Sequence, residues 1–597
     1  MKGLMRFFGY IFLLLLIVFL AGYIALQTRW GAGYASQLLS KFTPYDINVG
    51  IMGHQFSEPG KFIFQDIKIE SNNKQLELDA RQIVVDINWR HIFSNEAIQR
   101  LTITQGDLSA NFTDNASPLP LSAKVLQFEN SQIQLTQDKN TVQVAGFTGG
   151  ITPWKPTTEN PFGYGDFRFT TSQLTLNSLP FRNVAITGKL QEKVTDFSQI
   201  SGYLNNGAIT GKGKWFADGS ITIDNLSMNK VGWQNDLTFD ALFDAINSDR
   251  TLQINQLQLT NVDIQGRDWA LSGLSCEVDQ IALVRGSWSS PKSHINFNVD
   301  QLVIQDQQVD TLIGELNIDG DNLNVDKLSG YYNKGIFNLS AIWQRNDKSL
   351  TITEGTLAGV LYTLPDNWLS FFAQPAPAWL STFAIDNFTV TQSLLMNIQP
   401  EFPFEFTALS GNIRYVDLIK QKQWGIWKGQ ATFNADAGTI NQVMIRRPLL
   451  EIAGSNGRTA ASLSGSVDRG IAKIGLLTQQ EPNKVPFELR ASGTNIDLGN
   501  LNQWGWSGFS PQMWGDFEAS LQGDLLASPL ASSLNGKLTA KPLQGSVQLR
   551  TVVDGHVASG IAAVEPSAKP QTEPESHTAP AENTYPVDRH VPDMVTQ

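Results

Sequence analysis

Residues 221–233 read ITIDNLSMNKVGW, and residues 252–264 read LQINQLQLTNVDI. In both stretches the apolar residues follow one another at steps of 2, 3, 2, 3 and 2 residues, and LTLNSLPFRNVAI at residues 174–186 repeats these steps. Steps of two are typical of strands whose side chains alternate between two faces, so the stretches predict half-buried β-strands. The eighteen apolar positions are Leu174, Leu176, Leu179, Phe181, Val184, Ile186, Ile221, Ile223, Leu226, Met228, Val231, Trp233, Leu252, Ile254, Leu257, Leu259, Val262 and Ile264.

The steps of three need a separate explanation. In an unbroken strand, a step of three would turn the next apolar pair to the opposite face. A β-bulge absorbs the extra residue and bends the strand, whereas a tight turn at each gap is the competing explanation. Polar residues that tolerate unusual backbone angles fill the gaps, namely Asn177-Ser178, Arg182-Asn183, Asp224-Asn225, Asn229-Lys230, Asn255-Gln256 and Thr260-Asn261. Since pieces of three residues make poor hairpins, we expect bulges.

A second repeat consists of LTITQGDL at residues 101–108 and LTITEGTL at residues 350–357. Such self-similarity indicates repeated supersecondary units built in series. The sequence therefore predicts a mainly β protein with few short helices, in which a long, curved, bulged antiparallel sheet has one continuous apolar face. Either the sheet rolls up around a packed core, or it leaves a groove that suits an apolar ligand.

The N-terminus carries an apolar segment. Residues 7–26 contain no charge, and twenty helical residues match the thickness of a bilayer core. The segment is longer than the apolar region of a cleaved signal peptide, which is the alternative, so we expect a single-pass membrane anchor. Lys2 and Arg6 precede the segment, and this charge bias favours a cytoplasmic N-terminus with the bulk of the chain translocated. Trp30 and Tyr34 follow it, where aromatic side chains settle at the membrane interface.

Composition excludes several classes of function. The chain has 597 residues and a formal net charge of -12, which argues against a nucleic-acid partner. A single cysteine, Cys276, excludes an internal disulfide and a cysteine-based zinc site, and the six histidines form no metal-ligand pair. Catalytic motifs such as G-x-S-x-G, the P-loop and H-E-x-x-H are absent from the sequence. We therefore expect no enzyme activity, no metal and no cofactor.

The chain divides into three parts. Residues 1–27 form the cytoplasmic tail and membrane anchor, residues 28–553 form the β body with a closing module at about 484–553, and residues 554–597 form a tail. Six prolines and few apolar residues from position 565 onward are typical of a disordered segment, so no site is expected there.

Several segments resemble the AsmA family of Gram-negative envelope proteins. They are LQTRWG at 26–31, LAGVLYTLPDNW at 357–368, WGIWKG at 424–429, QWGW at 503–506, WGDFEASLQG at 514–523 and LASSLNG at 530–536. The resemblance covers roughly residues 1–553 and carries no catalytic motif. It implies an inner-membrane anchor, a periplasmic groove of rolled β-sheet lined by apolar side chains, and a role in phospholipid transport or outer-membrane homeostasis.

Two functions remain open at this point. In the first, the eighteen apolar positions line a groove that holds membrane phospholipids, with envelope proteins as further partners. In the second, the β body is a packed scaffold that assists the assembly of outer-membrane proteins through protein contacts.

Overall fold

The structure is a computed structural model. It describes residues 2–43, 45–71, 75–91, 97–111, 122–137, 140–157, 163–246, 251–284, 287–288, 293–366, 368, 374–400, 402–481, 484–527 and 529–561. Within these ranges it contains three α-helices and 33 β-strands, and all of the strands belong to one sheet. The prediction of a mainly β protein with one long sheet is confirmed.

The helices lie at the N-terminus and beside the sheet. They are α1 (Lys2–Leu26), α2 (Arg29–Phe42) and α3 (Phe239–Ile246), with short 3₁₀ helices at Trp89–His91, Leu498–Asn502 and Leu530–Ser533. Over the part of the chain searched for membrane spans, no single helix is both long and apolar enough to cross a bilayer. The pair Phe12–Leu26 and Arg29–Lys41 meets the length and composition criteria together, with a bend of 75° at the break.

The strands fall into four series, within which the chain runs up and down between hydrogen-bonded neighbours. The first series is β1 (Tyr45–His54), β2 (Lys61–Ser71), β3 (Leu76–Ile87) and β4 (Ile98–Asn111). The second is β5 (Ala123–Gln137), β6 (Asn140–Thr152), β7 (Gly165–Leu176), β8 (Leu179–Leu190), β9 (Val194–Leu204), β10 (Gly207–Phe216), β11 (Ile221–Asn229) and β12 (Gly232–Gln234).

The third series is β13 (Leu252–Gln265), β14 (Trp269–Val284), β15 (Ser287–Trp288), β16 (Ser293–Ile304), β17 (Gln307–Asp319), β18 (Asn322–Tyr332), β19 (Gly335–Gln344), β20 (Ser349–Ala358) and β21 (Leu361–Thr363). The fourth is β22 (Thr382–Asn397), β23 (Phe404–Lys420), β24 (Gln423–Asn434), β25 (Ala437–Ile440), β26 (Val443–Ser455), β27 (Arg458–Val467), β28 (Gly470–Gln479), β29 (Pro486–Asp497), β30 (Trp514–Asp524), β31 (Asn535–Pro542), β32 (Gln548–Val553) and β33 (His556–Ile561).

The expectation of a wholly antiparallel sheet is wrong at the three places where one series meets the next. There β4 pairs with β5, β11 and β12 pair with β13, and β20 and β21 pair with β22, each time in parallel. Two of the three copies of the sequence repeat are therefore side-by-side neighbours, because Ile221 pairs with Leu252 and Trp233 with Ile264. In a parallel pair, each residue keeps the same partner offset along both strands only if any extra residue is inserted at the same height in both. This explains why the two copies have identical spacings of their apolar residues.

The three parallel junctions share one construction. In each junction, three residues with positive φ lie at the same level, one within or at the end of each of three successive strands. They are Gln105, Asn130 and Gly146 at the first junction, Lys230, Asn261 and Gly273 at the second, and Gly359, Gln392 and Ala408 at the third. The backbone N–H of the middle residue donates to a hydroxyl on the next strand, from Asn130 to Thr148 at 3.0 Å, from Asn261 to Ser275 at 3.1 Å and from Gln392 to Ser410 at 3.0 Å. The similar sequences at residues 101–108 and 350–357 lie in β4 and β20, which are the first strands of two of these junctions.

Register shifts mark bulges at three of the six gaps in the repeat, namely Arg182-Asn183, Asp224-Asn225 and Thr260-Asn261. The register shifts between Arg182 and Ala185 and between Leu259 and Val262, as bulges require. At Asn177-Ser178 the bulge prediction is wrong, because Leu176 pairs with Leu179 and the two residues form a hairpin turn with φ of 46° and 78°. Positive φ at both central positions is what a tight two-residue hairpin turn needs.

Successive rungs of the sheet set its length. When β12, β15, β21 and β25, which lie beside or extend other strands, are set aside, 29 of the 33 strands follow one another as rungs. At a spacing of about 4.8 Å the sheet is roughly 130 Å long along its curved path. The sheet also continues past Val553, the predicted end of the body, because β33 pairs with β32 as far as Ile561. The remainder of the predicted tail lies outside the described residues.

Candidate functional site: the apolar face of the sheet

One row of apolar residues crosses twenty strands at right angles to them. Residues directly opposite each other in neighbouring strands share a face, so a row can be followed through the register from strand to strand. This central row consists of Met52, Phe64, Ile83, Ile103, Phe128, Gly149, Phe169, Ile186, Ile200, Gly211, Leu226, Leu257, Val278, Ile295, Leu316, Val325, Ala341, Ile352, Ile385 and Val416. The row contains no polar or charged side chain.

A second row lies beside the first and continues to the C-terminal strand. It consists of Ile209, Met228, Leu259, Cys276, Phe297, Gly314, Leu328, Leu339, Gly355, Phe388, Ile413, Ala431, Ile452, Ala461, Leu476, Leu489, Leu521, Gly536, Val552 and Val557. Together the two rows form an apolar surface that runs without a break from β1 to β33.

All eighteen residues predicted from the repeat lie on this face. Ile186, Leu226 and Leu257 belong to the central row. Met228 and Leu259 belong to the second row. The other thirteen lie farther along the same strands or their extensions, and the register sets most of them opposite one another in apolar pairs. Whether these residues contact lipid stays a prediction.

The face is neither fully buried nor fully open in this part of the sheet. Val184, Val231 and Val262 are buried, Leu176 and Ile221 are exposed, and the other thirteen predicted residues have an intermediate exposure. Val231 and Val262 join a cluster with Leu204, Leu274, Val299 and Leu312, against which second-row side chains pack. The deepest positions are thus packed by the protein itself, while the side chains above them remain accessible to a ligand.

Aromatic rings line the face near its N-terminal end. Successive ring centroids lie 5.5 Å apart for Phe128 and Phe147, 5.3 Å for Phe147 and Phe169, 5.8 Å for Phe169 and Phe167, and 6.0 Å for Phe167 and Phe197. Gly149 lies within this group, where a Cβ atom would come within 2.2 Å of the Arg168 carbonyl oxygen. Large rings alternate with residues that have no side chain, so the surface stays even.

Helix α2 covers the N-terminal edge of the sheet. Backbone N–H groups of the edge strand β1 donate to hydroxyls of α2, from Val49 to Ser36 at 2.9 Å and from Ile47 to Ser40 at 2.8 Å. These bonds satisfy donors that an edge strand would otherwise present to solvent. Trp30 and Tyr34, predicted to lie at the membrane interface, are on the far side of α2, where they are 83% and 65% exposed.

The segment between β29 and β30 covers the opposite end of the face. Leu498, Leu501, Trp506 and Phe509 pack with Ile496, Phe517 and Leu538 in the largest buried cluster of the described chain. Asp497 holds this segment in place by accepting from the backbone N–H groups of Gly499 and Gln512, both at 2.9 Å. The cluster extends back to Ile440 on β25, so the closed region begins well before the predicted closing module at about 484.

The face offers little chemistry beyond apolar contact. In the part of the chain that the structure describes, no group of three or more His, Cys, Asp or Glu side chains could hold a metal ion. Burial, together with the nearby Glu277 carboxylate, raises the pKa of the Cys276 thiol to about 11, so this second-row residue remains protonated at neutral pH.

Most residues of the two rows could not be predicted from the sequence. Many of them lie in strands whose spacing of apolar residues is not repeated in the neighbouring strands. Their common signal is alternation of period two within each strand, which becomes a row only after the register is known. The covering segment at 498–513 was missed as well, although the QWGW at 503–506 was noted as part of a resemblance.

Comparison with known proteins gives one strong match. No family model and no solved structure matches the chain. A curated protein, the AsmA family protein YicH of Escherichia coli (strain K12), is 27% identical over 570 residues, which cover 94% of this chain and 100% of the relative. Because the similarity covers 94% of this chain and all of the relative, it supports membership of this chain in the AsmA family.

Proposed function

We propose that this protein is anchored in the bacterial inner membrane, extends into the periplasm, and accommodates phospholipid acyl chains on the apolar face of its sheet. The charge-free segment 7–26 crosses the bilayer once, with the N-terminus in the cytoplasm. The AsmA resemblance supports an envelope role, in phospholipid transport or in outer-membrane homeostasis.

The observation that carries the proposal is the uninterrupted pair of apolar rows. Each methylene group moved from water to such a surface is stabilised by about 0.8 kcal/mol, so an acyl chain binds wherever it lies along the rows. Neighbouring positions are chemically alike, since the central row contains only apolar side chains and glycines. A lipid therefore meets no polar barrier when it moves from one rung to the next, and its head group can stay in water at the mouth of the groove.

The proposed activity is not enzymatic and needs no cofactor. It uses only the shape and the polarity of the face, and the sequence carries no motif of a nucleophile, a general base or a phosphate-binding loop. Nucleic acid is not a partner in this proposal, because the net charge of -12 would repel it.

Photo-crosslinking tests the proposal at neighbouring positions on one strand. A photoreactive amino acid at Leu257, whose side chain joins the central row, should capture phospholipid in cells, as should one at Leu226 or Leu179. Gln258 is the matched control, because it pairs with Ser227 and Glu277 on the opposite face and is exposed. Equal labelling at Leu257 and Gln258, or no lipid at any row position, would contradict the proposal.

A packed scaffold that assists outer-membrane protein assembly is the second candidate. The closed region around Leu498 and Leu501 favours it, because there the same face is filled by protein. If the groove is filled throughout in the native protein, a Leu257→Asp variant should unfold the body. If the groove is open, the variant should stay folded and lose lipid capture at Leu226.

A further inference from the structure

Five large side chains at the N-terminal end expose about half of their surface or more. On α2 these are Trp30, Tyr34 and Leu38, which are 83%, 65% and 47% exposed. Phe56, in the turn between β1 and β2, is 67% exposed, and Trp89, in the 3₁₀ helix after β3, is 50% exposed. We call these five residues the aromatic cluster. Isolated exposed apolar side chains are common, but four aromatic rings and a leucine at one end of a long sheet need an explanation.

Helix α2 has two faces with different surroundings. Ala32, Ser36 and Ser40 face the protein: Ala32 is fully buried in the N-terminal core, and the two serines accept from β1. Trp30, Tyr34 and Leu38 recur every four residues and so form a stripe on another face. A helix with one face on the protein and a separate apolar stripe suits the boundary between protein and lipid.

The turn between β1 and β2 is fastened to α1. Tyr23 Oη donates to the His54 carbonyl oxygen at 2.7 Å, and Gln27 Nε2 donates to the same oxygen at 3.1 Å. The Phe56 ring packs edge-on against the Tyr23 ring, with centroids 5.1 Å apart. Tyr23 lies three residues before the end of α1, about 4.5 Å along the axis. The turn is therefore held at the depth of the last helical turn of α1.

The break between α1 and α2 turns the second helix away from the first. The two axes differ by 75°, so α2 lies nearly flat on the bilayer when α1 crosses it upright. Gly31 permits this elbow, because a Cβ atom there would come within 2.4 Å of the Leu26 carbonyl oxygen. The stripe on α2 and the ring of Phe56 can then meet the same membrane surface.

Charge agrees with this placement. Helix α2 contains Arg29 and Lys41 and no acidic residue, whereas the whole chain has a net charge of -12. The basic helix is attracted to anionic head groups, and the acidic remainder is not.

We propose that the aromatic cluster inserts into the periplasmic leaflet of the bilayer that holds α1, and so clamps the first rungs of the groove to the membrane surface. The proposal rests on the membrane anchor of the proposed function. It places Met52, the first residue of the central row, two residues before His54 and hence beside the lipid. The clamp makes this end the entrance of the groove and fixes its orientation.

Depth-dependent fluorescence quenching tests the clamp in the full chain. The environment-sensitive dye NBD is attached to a cysteine introduced by Phe56→Cys, Leu38→Cys or, as a control, Gln258→Cys. The parent chain with Cys276 alone corrects for background labelling, which should be low because its thiol pKa is about 11. The protein is reconstituted in vesicles of phosphatidylethanolamine and phosphatidylglycerol that contain doxyl-labelled phospholipid.

Dyes at positions 56 and 38 should lose fluorescence to lipid-bound doxyl groups and be protected from aqueous iodide, while the dye at 258 should behave in the opposite way. Adding Tyr23→Phe, which keeps the ring but removes its hydrogen bond to His54, should weaken the doxyl quenching at 56 and leave that at 38 unchanged. Iodide quenching at 56 and 38 in protein that floats with the vesicles would overturn the clamp alone. Protein that does not float with vesicles would instead overturn the membrane anchor and, with it, the clamp.

Discussion

The middle of the sheet and its C-terminal region share one apolar face but differ in what covers it. From β11 to β20 most side chains of the central row, such as Leu226 and Leu257, have an intermediate exposure, although Val278 and Ala341 are buried. From β25 to β31 the residues 498–513 fold over the face, and Ile496, Leu501 and Leu538 become fully buried. An apolar row thus becomes a closed core where a covering segment is present and stays partly exposed where none covers it.

The difference has an energetic consequence. A substitution in the covered region must disturb close packing, whereas one in the groove changes a surface that water or ligand can reach. The two regions should therefore respond differently to the same chemical change.

Leu501→Asp should cause the largest loss. Leu501 is 0% exposed and packs between the covering segment and the sheet, so the substitution buries a carboxylate that has no partner. We expect a cost of about 4 kcal/mol or more and local unfolding of the C-terminal region. Hydrogen exchange measured by mass spectrometry should show lost protection from β25 to β31, with unchanged protection from β11 to β20. Uniform exchange along the whole sheet would contradict the division into two regions.

Leu538→Ala should destabilise the closed region by creating a cavity. The side chain is 0% exposed, and its removal should cost about 2 to 5 kcal/mol. The same change at Leu257 is the matched control, and because that position is partly exposed the cost should be nearer 1 kcal/mol. Equilibrium unfolding in urea measures both values. Equal costs would indicate that the middle of the sheet is also packed.

Asp497→Ala should destabilise the covering segment without creating a cavity in the core beneath it. The carboxylate accepts from the N–H groups of Gly499 and Gln512, and the loss of such a cap costs about 1 kcal/mol. Limited proteolysis should then cut near residues 498–513 faster than in the parent protein. Asp497→Asn, which keeps one acceptor oxygen, should restore part of the resistance.

Leu257→Asp should have little effect on folding and a strong effect on function. The new carboxylate stays partly hydrated, so the free energy of unfolding should fall by only about 1 kcal/mol. Lipid capture by a photoreactive group at the neighbouring Leu226 should be lost, since a charge now interrupts the row. Thermal unfolding and crosslinking of the same preparation separate the two effects.

The smallest expected effect concerns Cys276, whose thiol should make the stability and its own reactivity depend on pH. Its folded pKa of about 11 exceeds the ordinary 9.0, so the folded state favours the neutral thiol. The resulting stabilisation is present below pH 9 and is lost as the pH rises towards 11. Alkylation at pH 8 should be roughly 100-fold slower than for a free thiol, because the thiolate is that much scarcer. Urea should remove this protection. Equal alkylation rates in folded and unfolded protein would show that water reaches the second row at this position.

Much of the architecture could be predicted from the sequence. The repeat at 174–186, 221–233 and 252–264 correctly indicated half-buried strands, one apolar face and bulges at Asn261 and beside Asn183. The pattern worked because alternation and bulging are local properties of a strand. It failed at Asn177-Ser178, where the same polar residues make a hairpin turn, because bulge and turn draw on the same backbone conformations.

The direction of pairing could not be predicted in the same way. An apolar step of two followed by three looks identical in a strand that pairs in parallel and in one that pairs antiparallel. Only the connection between the strands decides the direction of pairing, and it lies outside the strand pattern: the connection from β12 to β13, for example, contains helix α3.

The sequence by itself determined the mainly β class, the polarity of the face and the charge-free segment at the N-terminus, because each depends on residue type and spacing along the chain. Tertiary structure alone decided which side chains form continuous rows, which part of the face the residues 498–513 cover, and that Tyr23 meets His54. The physical reason is that register and covering bring together residues far apart in sequence, and their contacts leave no local pattern to read.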